Sequence, residues 1–365
     1  MTNAAVRTIP TTFTHATQFT LPYLYADLTK IFSMSQIEIS RENFFYNINQ
    51  IANKTQSLEK IALVLKDNAY GHGLEIVANL AAKAGVRHAV VRKMAEAKLI
   101  EHLFETVLVL TDTPLSVPSS KVRVAVNDFG DIERLPKGCS VELKLDTGMH
   151  RNGIESKRFE EAVEAMEEAG LKLCGVMTHY RSADEIGSDF FWQKKRFDEV
   201  RSRGEKLGLK GVRWHSCNSA ALFRSGMFDE DIARVGIAAY GCLRMPKPFN
   251  VPKFRPVMSL WAERIASRDL SAGARVGYGG DGEIEKAGRF SSYDIGYGDG
   301  WPRAAYTLPD GRSILGRVSM DIVTIEGDDE RVCLFYDAAE AAKRFGTISY
   351  EIMTGLNPAI KRVVV

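Results

Sequence analysis

Ile61-Ala62-Leu63-Val64-Leu65-Lys66-Asp67-Asn68-Ala69-Tyr70-Gly71-His72-Gly73 is an unbroken apolar run that stops on a lysine and passes into a glycine-flanked polar turn. A strand that is apolar on consecutive residues is buried on both faces, as in a parallel sheet covered by helices. Seven more runs with strand character follow: His88 to Val91, Val107 to Thr111, Val122 to Val126, Val141 to Asp146, Cys174 to Tyr180, Val212 to Cys217 and Arg234 to Tyr240. Most lead into a helical pattern. The clearest is 156–170, where Phe159, Ala162, Val163 and Met166 recur at three- and four-residue spacing, Ser156 is placed to cap and Gly170 to close. Eight strand and helix units in about 200 residues fit a (β/α)8 barrel better than an open doubly wound sheet, although the third and fourth helices are short.

Beyond Pro246 the texture changes. Pro248, Pro252 and Pro256 cluster, and runs rich in Val, Ile and Tyr are then separated by Gly and Asp, with one helical stretch at 338–344. The expected division is an N-terminal extension over 1–33, disordered or a non-native start ahead of Met34, a barrel over 34–247 and a mostly β domain over 248–365. With 48 Lys plus Arg against 46 Asp plus Glu, the net charge of +2 gives no bulk field to recruit nucleic acid or an anionic membrane, and neither partner is expected. Five scattered cysteines without a C-x-x-C pair argue against a disulfide framework or a zinc site and suit a reducing cytoplasm. No apolar run approaches the roughly 18 residues of a membrane span.

In such a barrel, catalytic groups sit at the carboxyl ends of the strands. Lys66 falls there. Burial and nearby cations can lower a lysine from its usual pKa of about 10.4 and free the amine for carbonyl chemistry. Glu142, Lys144 and Asp146 alternate with Val141, Leu143 and Leu145, which sends one charged file into the barrel.

The run around Lys66 resembles the signature of the pyridoxal phosphate lysine in alanine racemases, with Asp67 where Ala is usual. The resemblance continues, in family order, through Lys144–Gly153, Thr178–Asp184, His215–Ala220, Arg234–Ile237, Val276–Gly279, Ile295–Trp301 and Gly316–Asp321. It implies a fold-type III pyridoxal phosphate enzyme that interconverts L-alanine and D-alanine for peptidoglycan, as a homodimer with shared active sites. Racemisation needs a base on each face of one carbon. By resemblance Lys66 carries the cofactor and serves the D-alanine face, and Tyr278 of the partner serves the L-alanine face. Arg234 would face the pyridine nitrogen, with His179 and His215 as supports; Tyr70, Asn218, Ser219, Gly236 and Ile237 belong to the cofactor and phosphate site. Arg151 would meet the cofactor phenolic oxygen and the substrate carboxylate, and Met320 with Asp321 the substrate from the other subunit. Asp184, Tyr297 and Arg303 match entrance residues, and Lys144 matches a position carbamylated in some members, which makes a carbamylated Lys144 the expectation. Where some relatives place a phosphate-binding tyrosine, this chain has Asn357-Pro358.

Other readings share the scaffold. A broad-specificity amino-acid racemase differs only in channel-lining residues. A basic amino-acid decarboxylase lacks the Arg234 and Tyr278 blocks, and a non-catalytic pyridoxal phosphate carrier lacks residues like 246–365.

Overall fold

Eight parallel strands, each from one of the apolar runs, stand side by side in the order 233–235, 61–64, 88–91, 106–109, 122–126, 140–146, 172–177 and 213–215. The computed structural model describes residues 34–365; the expectation for 1–33 lies outside the described residues. The circle closes through single bonds rather than a ladder: the Asp231 amide donates to the Trp214 carbonyl and that of Arg234 to the Cys217 carbonyl, at 3.2 and 2.9 Å. The last strand is shorter than its run, since only Ala233–Val235 pairs and residues 236–241 turn across the barrel end.

Val141, Leu143 and Leu145 pack outward with Phe159, Ala162 and Met166 of the Phe159–Glu168 helix, while Glu142 and Lys144 are buried on the other side of the same strand. This is the period-2 division expected of a barrel strand. Ser156 does not cap that helix; its hydroxyl donates to the Asp146 carbonyl, and a 3-10 turn over Ser156–Arg158 starts the segment instead. No helix follows the 106–109 strand before 122–126 begins.

The second sheet is built on Met258–Leu270, a 13-residue strand antiparallel to Gln36–Ile39, Gly288–Tyr293 and Arg331–Phe335. Gln36–Ile39, which the sequence reading places with the barrel, therefore belongs to this sheet, where it also runs parallel to Lys361–Val364. Its burial alternates, as suits an antiparallel face, whereas the barrel strand Ile61–Val64 is buried throughout. The expected helix at 338–344 is present as Ala338–Phe345, capped by the Asp337 side chain, and a second helix, Ser349–Gly355, follows it. Among the described residues no helix is long and apolar enough to cross a membrane.

Candidate active site

Lys66 follows the first barrel strand and opens an unusual turn. Asp67, Asn68, Ala69 and Tyr70 all have left-handed backbone, with φ of 54, 57, 53 and 52°, and Gly71 continues it at 79°. Left-handed backbone costs an L-residue about 1–2 kcal/mol, less for Asp and Asn, so four in succession persist only under strong restraint. The restraint is visible. The Asp67 amide donates to Glu96 Oε1 at 2.8 Å, Arg92 Nη1 lies 2.9 Å from Asp67 Oδ1, and Asn68 Oδ1 accepts from the Leu74 amide at 2.8 Å. Tyr70 is held between Tyr240 and Tyr350, with ring centroids 5.0 and 5.5 Å away.

The turn borders a cavity of about 800 Å³ at the carboxyl ends of the strands. Its walls bring together Lys66, Tyr70, Lys144, Arg151, His179, Asp184, Asn218, Ser219, Arg234, Gly236 and Ile237. At one end the Ser219 hydroxyl accepts from the amides of Gly236 and Ala238 at 3.1 and 3.4 Å, and Asn218 caps the short helix that Ser219 begins. Gly236 is required there, because a Cβ on it would lie 2.7 Å from the Tyr70 hydroxyl. Burial raises Tyr70 well above the ordinary tyrosine range, with Tyr350 and Asp67 adding to the effect, so it is a neutral donor.

Arg234 is buried, and four of its N–H groups are committed: Nη1 to His215 Nδ1 (2.6 Å) and the His215 carbonyl (3.0 Å), Nη2 to the carbonyls of Thr178 (2.6 Å) and Ser216 (3.1 Å). Its Nε–H is thereby the donor left for the cavity that the side chain lines. His179 is pulled down to about 3 by burial and by Arg234, Lys144, Arg151 and Lys66, and is neutral at physiological pH. His215 does not line the cavity; it stands behind Arg234.

Lys144 donates to Asn152 Oδ1 at 2.5 Å. The orientation of that amide is determined by a chain of donors. Asn127 Nδ2 donates to the carbonyls of Leu110 and Ala125, so Asn127 Oδ1 accepts from Asn152 Nδ2 at 2.8 Å and Asn152 Oδ1 is turned to Lys144. Burial, aided by Arg151, Arg234 and Lys66, brings Lys144 down to about 8.

The cavity does not include Tyr278, Tyr297, Arg303, Met320 or Asp321. All five are exposed, Tyr278 by 70% and Met320 by 55% of their surface. The turn carrying Tyr278 lies against the Arg317 backbone, and the Tyr297 and Gly298 amides donate to the carbonyls of Ser319 and Met320. Two contributions were missed by sequence reasoning: the helices Ala338–Phe345 and Ser349–Gly355, which bring Lys343, Ile348 and Tyr350 to the cavity, and the side chains that Glu142 gathers.

Comparison with known proteins covers most of the described chain. The alanine racemase N-terminal domain model matches residues 39–244 and the C-terminal domain model residues 257–364. The chain is 42% identical to an alanine racemase from a Nitratiruptor species, over 90% of this chain and 99% of that one. It is 38% identical to one from Campylobacter jejuni subsp. jejuni, over 91% and 100%. Among solved structures, alanine racemase from Bacillus anthracis with bound L-Ala-P superposes with a TM-score of 0.81 at 27% identity, covering 92% of this chain and 95% of that one. The chain belongs to the alanine racemase family.

Proposed function

We propose that this alanine racemase works with pyridoxal 5'-phosphate seated between Lys66 and Arg234, and that each active site is completed by a second copy of the chain. The observation that carries this reading is a separation. Lys66 lies in the cavity with an anion-binding end, whereas Tyr278, the other expected base, stands exposed on a different part of the same chain. A racemase with Lys66 alone has a base for one face of the α-carbon only.

The donor set fits the cofactor. Tyr70 and Ser219 hydroxyls, the Ile237 amide and the space left by the missing Cβ of Gly236 suit the phosphate, while Arg234 offers one N–H to the ring nitrogen. Tyr350, 5.5 Å from the Tyr70 ring, closes the end where the sequence has Pro358 instead of a tyrosine. Pyridoxal phosphate, when bound, supplies an electron sink for the pair left as the α-proton departs. The protein residues do the rest. Lys66 Nζ carries the proton on the D-alanine face and Tyr278 Oη of a second copy on the L-alanine face. Arg151 orients the substrate carboxylate, Met320 and Asp321 of that copy close the substrate end, and Asp184, Tyr297 and Arg303 form the entrance. The five free cysteines support a reducing, cytoplasmic setting, where D-alanine would feed peptidoglycan synthesis.

The test is complementation between inactive variants. Lys66→Ala should lose the visible absorbance of lysine-bound cofactor, and Tyr278→Phe should keep the absorbance and lose turnover. In an equal mixture, half of the dimers are mixed and each has one intact site, so activity should return to about one quarter of wild type. No recovery after subunit exchange refutes the shared site. A panel of larger L-amino acids separates alanine specificity from broad racemisation.

A further inference from the structure

Glu142 lies on the 140–146 strand with a fully buried side chain. Its oxygens are divided between partners. Oε1 accepts from Arg123 Nη1 at 3.1 Å and is ion-paired with Arg213 Nη2 at 2.5 Å, and Oε2 lies 2.7 Å from His215 Nε2. Gly175 on the adjacent strand makes the room, since a Cβ there would come within 2.9 Å of the carboxyl carbon. The next bond in the chain joins His215 Nδ1 to Arg234 Nη1 at 2.6 Å.

We propose that Glu142 is a positioning residue that fixes the tautomer of His215 and, through it, the aim of Arg234. This rests on the reading that Arg234 faces the cofactor ring. A carboxylate only accepts, so His215 Nε2 carries the proton; a neutral imidazole then leaves Nδ1 as an acceptor, which an arginine, able only to donate, requires. Glu142 stays ionised: burial pushes it up, but Arg213, His215 and Arg123 together hold it well below the usual carboxylate range. His215 takes no second proton at physiological pH, because burial outweighs the pull of Glu142 and brings it down to about 3. In the other tautomer Nδ1–H would face the Arg234 N–H groups, donor against donor, and the guanidinium would have to turn.

Glu142→Gln tests this sharply. Arg123 and Arg213 can only donate, so they keep the amide oxygen and turn the new NH2 toward His215 Nε2, which then has to accept. The proton moves to Nδ1. In holoenzyme labelled with 15N-histidine, with His215→Asn to assign the signals, long-range 1H–15N correlation should show protonated Nε2 in wild type and protonated Nδ1 in Glu142→Gln. Turnover should fall about tenfold to a hundredfold while KM for alanine changes little. Protonated Nδ1 in wild type overturns the proposal, whether or not the variant folds. So does an unchanged tautomer in Glu142→Gln, or a switched tautomer with unchanged turnover. Full activity in Arg234→Lys would instead overturn the reading of Arg234 and leave the tautomer lock to be judged by the nitrogen shifts alone.

Discussion

Gly71→Ala should be among the most costly single-methyl additions to this chain. Two penalties add at that position. The backbone is left-handed, φ +79°, which costs alanine about 1–2 kcal/mol, and the new Cβ would lie 2.0 Å from the Met353 carbonyl oxygen in the Ser349–Gly355 helix. That oxygen and the Met353 carbonyl carbon, 2.8 Å from the same Cβ, belong to backbone, so relief requires moving the helix or the turn, an overpacking cost of about 1–3 kcal/mol. The sum is about 2–5 kcal/mol. Gly273→Ala is the internal standard: its φ is +82° and a Cβ there meets nothing within 4 Å, so it should carry only the first penalty. Urea unfolding of both variants followed by circular dichroism gives the comparison. If the two substitutions cost the same within about 0.5 kcal/mol, the Gly71–Met353 approach exerts no force and the reasoning fails.

Mass analysis of the native protein should show one carbon dioxide added at Lys144, an interior lysine beside Arg151 that burial brings down to about 8; a plain amine there would refute the carbamylation that the resemblance implies. Acid should destabilise the fold through its buried histidines. Burial lowers His72, His179 and His215 to about 4, 3 and 3, from about 6.5 when unfolded. Below pH 6.5 the unfolded chain therefore binds protons that the native state refuses, and the stability these neutral residues confer is lost as pH falls toward 4 and 3. Each contributes up to about 1.4 kcal/mol per pH unit, so His72→Phe should make the acid limb shallower by about that slope near pH 5. An unchanged slope in urea titrations at a series of pH values counts against the assignment.

The barrel was legible because its strands are short apolar runs punctuated by polar strand ends, a pattern that depends on nothing outside each segment. Lys66 could be placed at the mouth for the same reason, whereas Arg234, which opens its run, was assigned through the resemblance alone. The left-handed turn after Lys66 could not, since none of Asp67 to Tyr70 is glycine and the forces that hold it come from Glu96, Arg92 and Tyr240. Glu142 showed as one of a charged file, but its partners come from other strands 19 to 73 residues away, and no local pattern encodes such a meeting. Gln36–Ile39 was grouped with the barrel domain because sequence proximity favours neighbours, whereas its partners begin at Met258 and Lys361.

The Gly71 carbonyl accepts from Arg362 Nε at 2.9 Å, across 291 residues. A ribosome adding residues in order would release Lys66 long before the groups that hold its turn. The bond from Arg362 to the turn can form only when the last strand has emerged and paired with Gln36–Ile39. Barrel strands can collapse as they appear, but the reactive lysine comes into register at the end of synthesis. A chain that stops before Arg362 lacks this tie between its last strand and the turn that carries the reactive lysine.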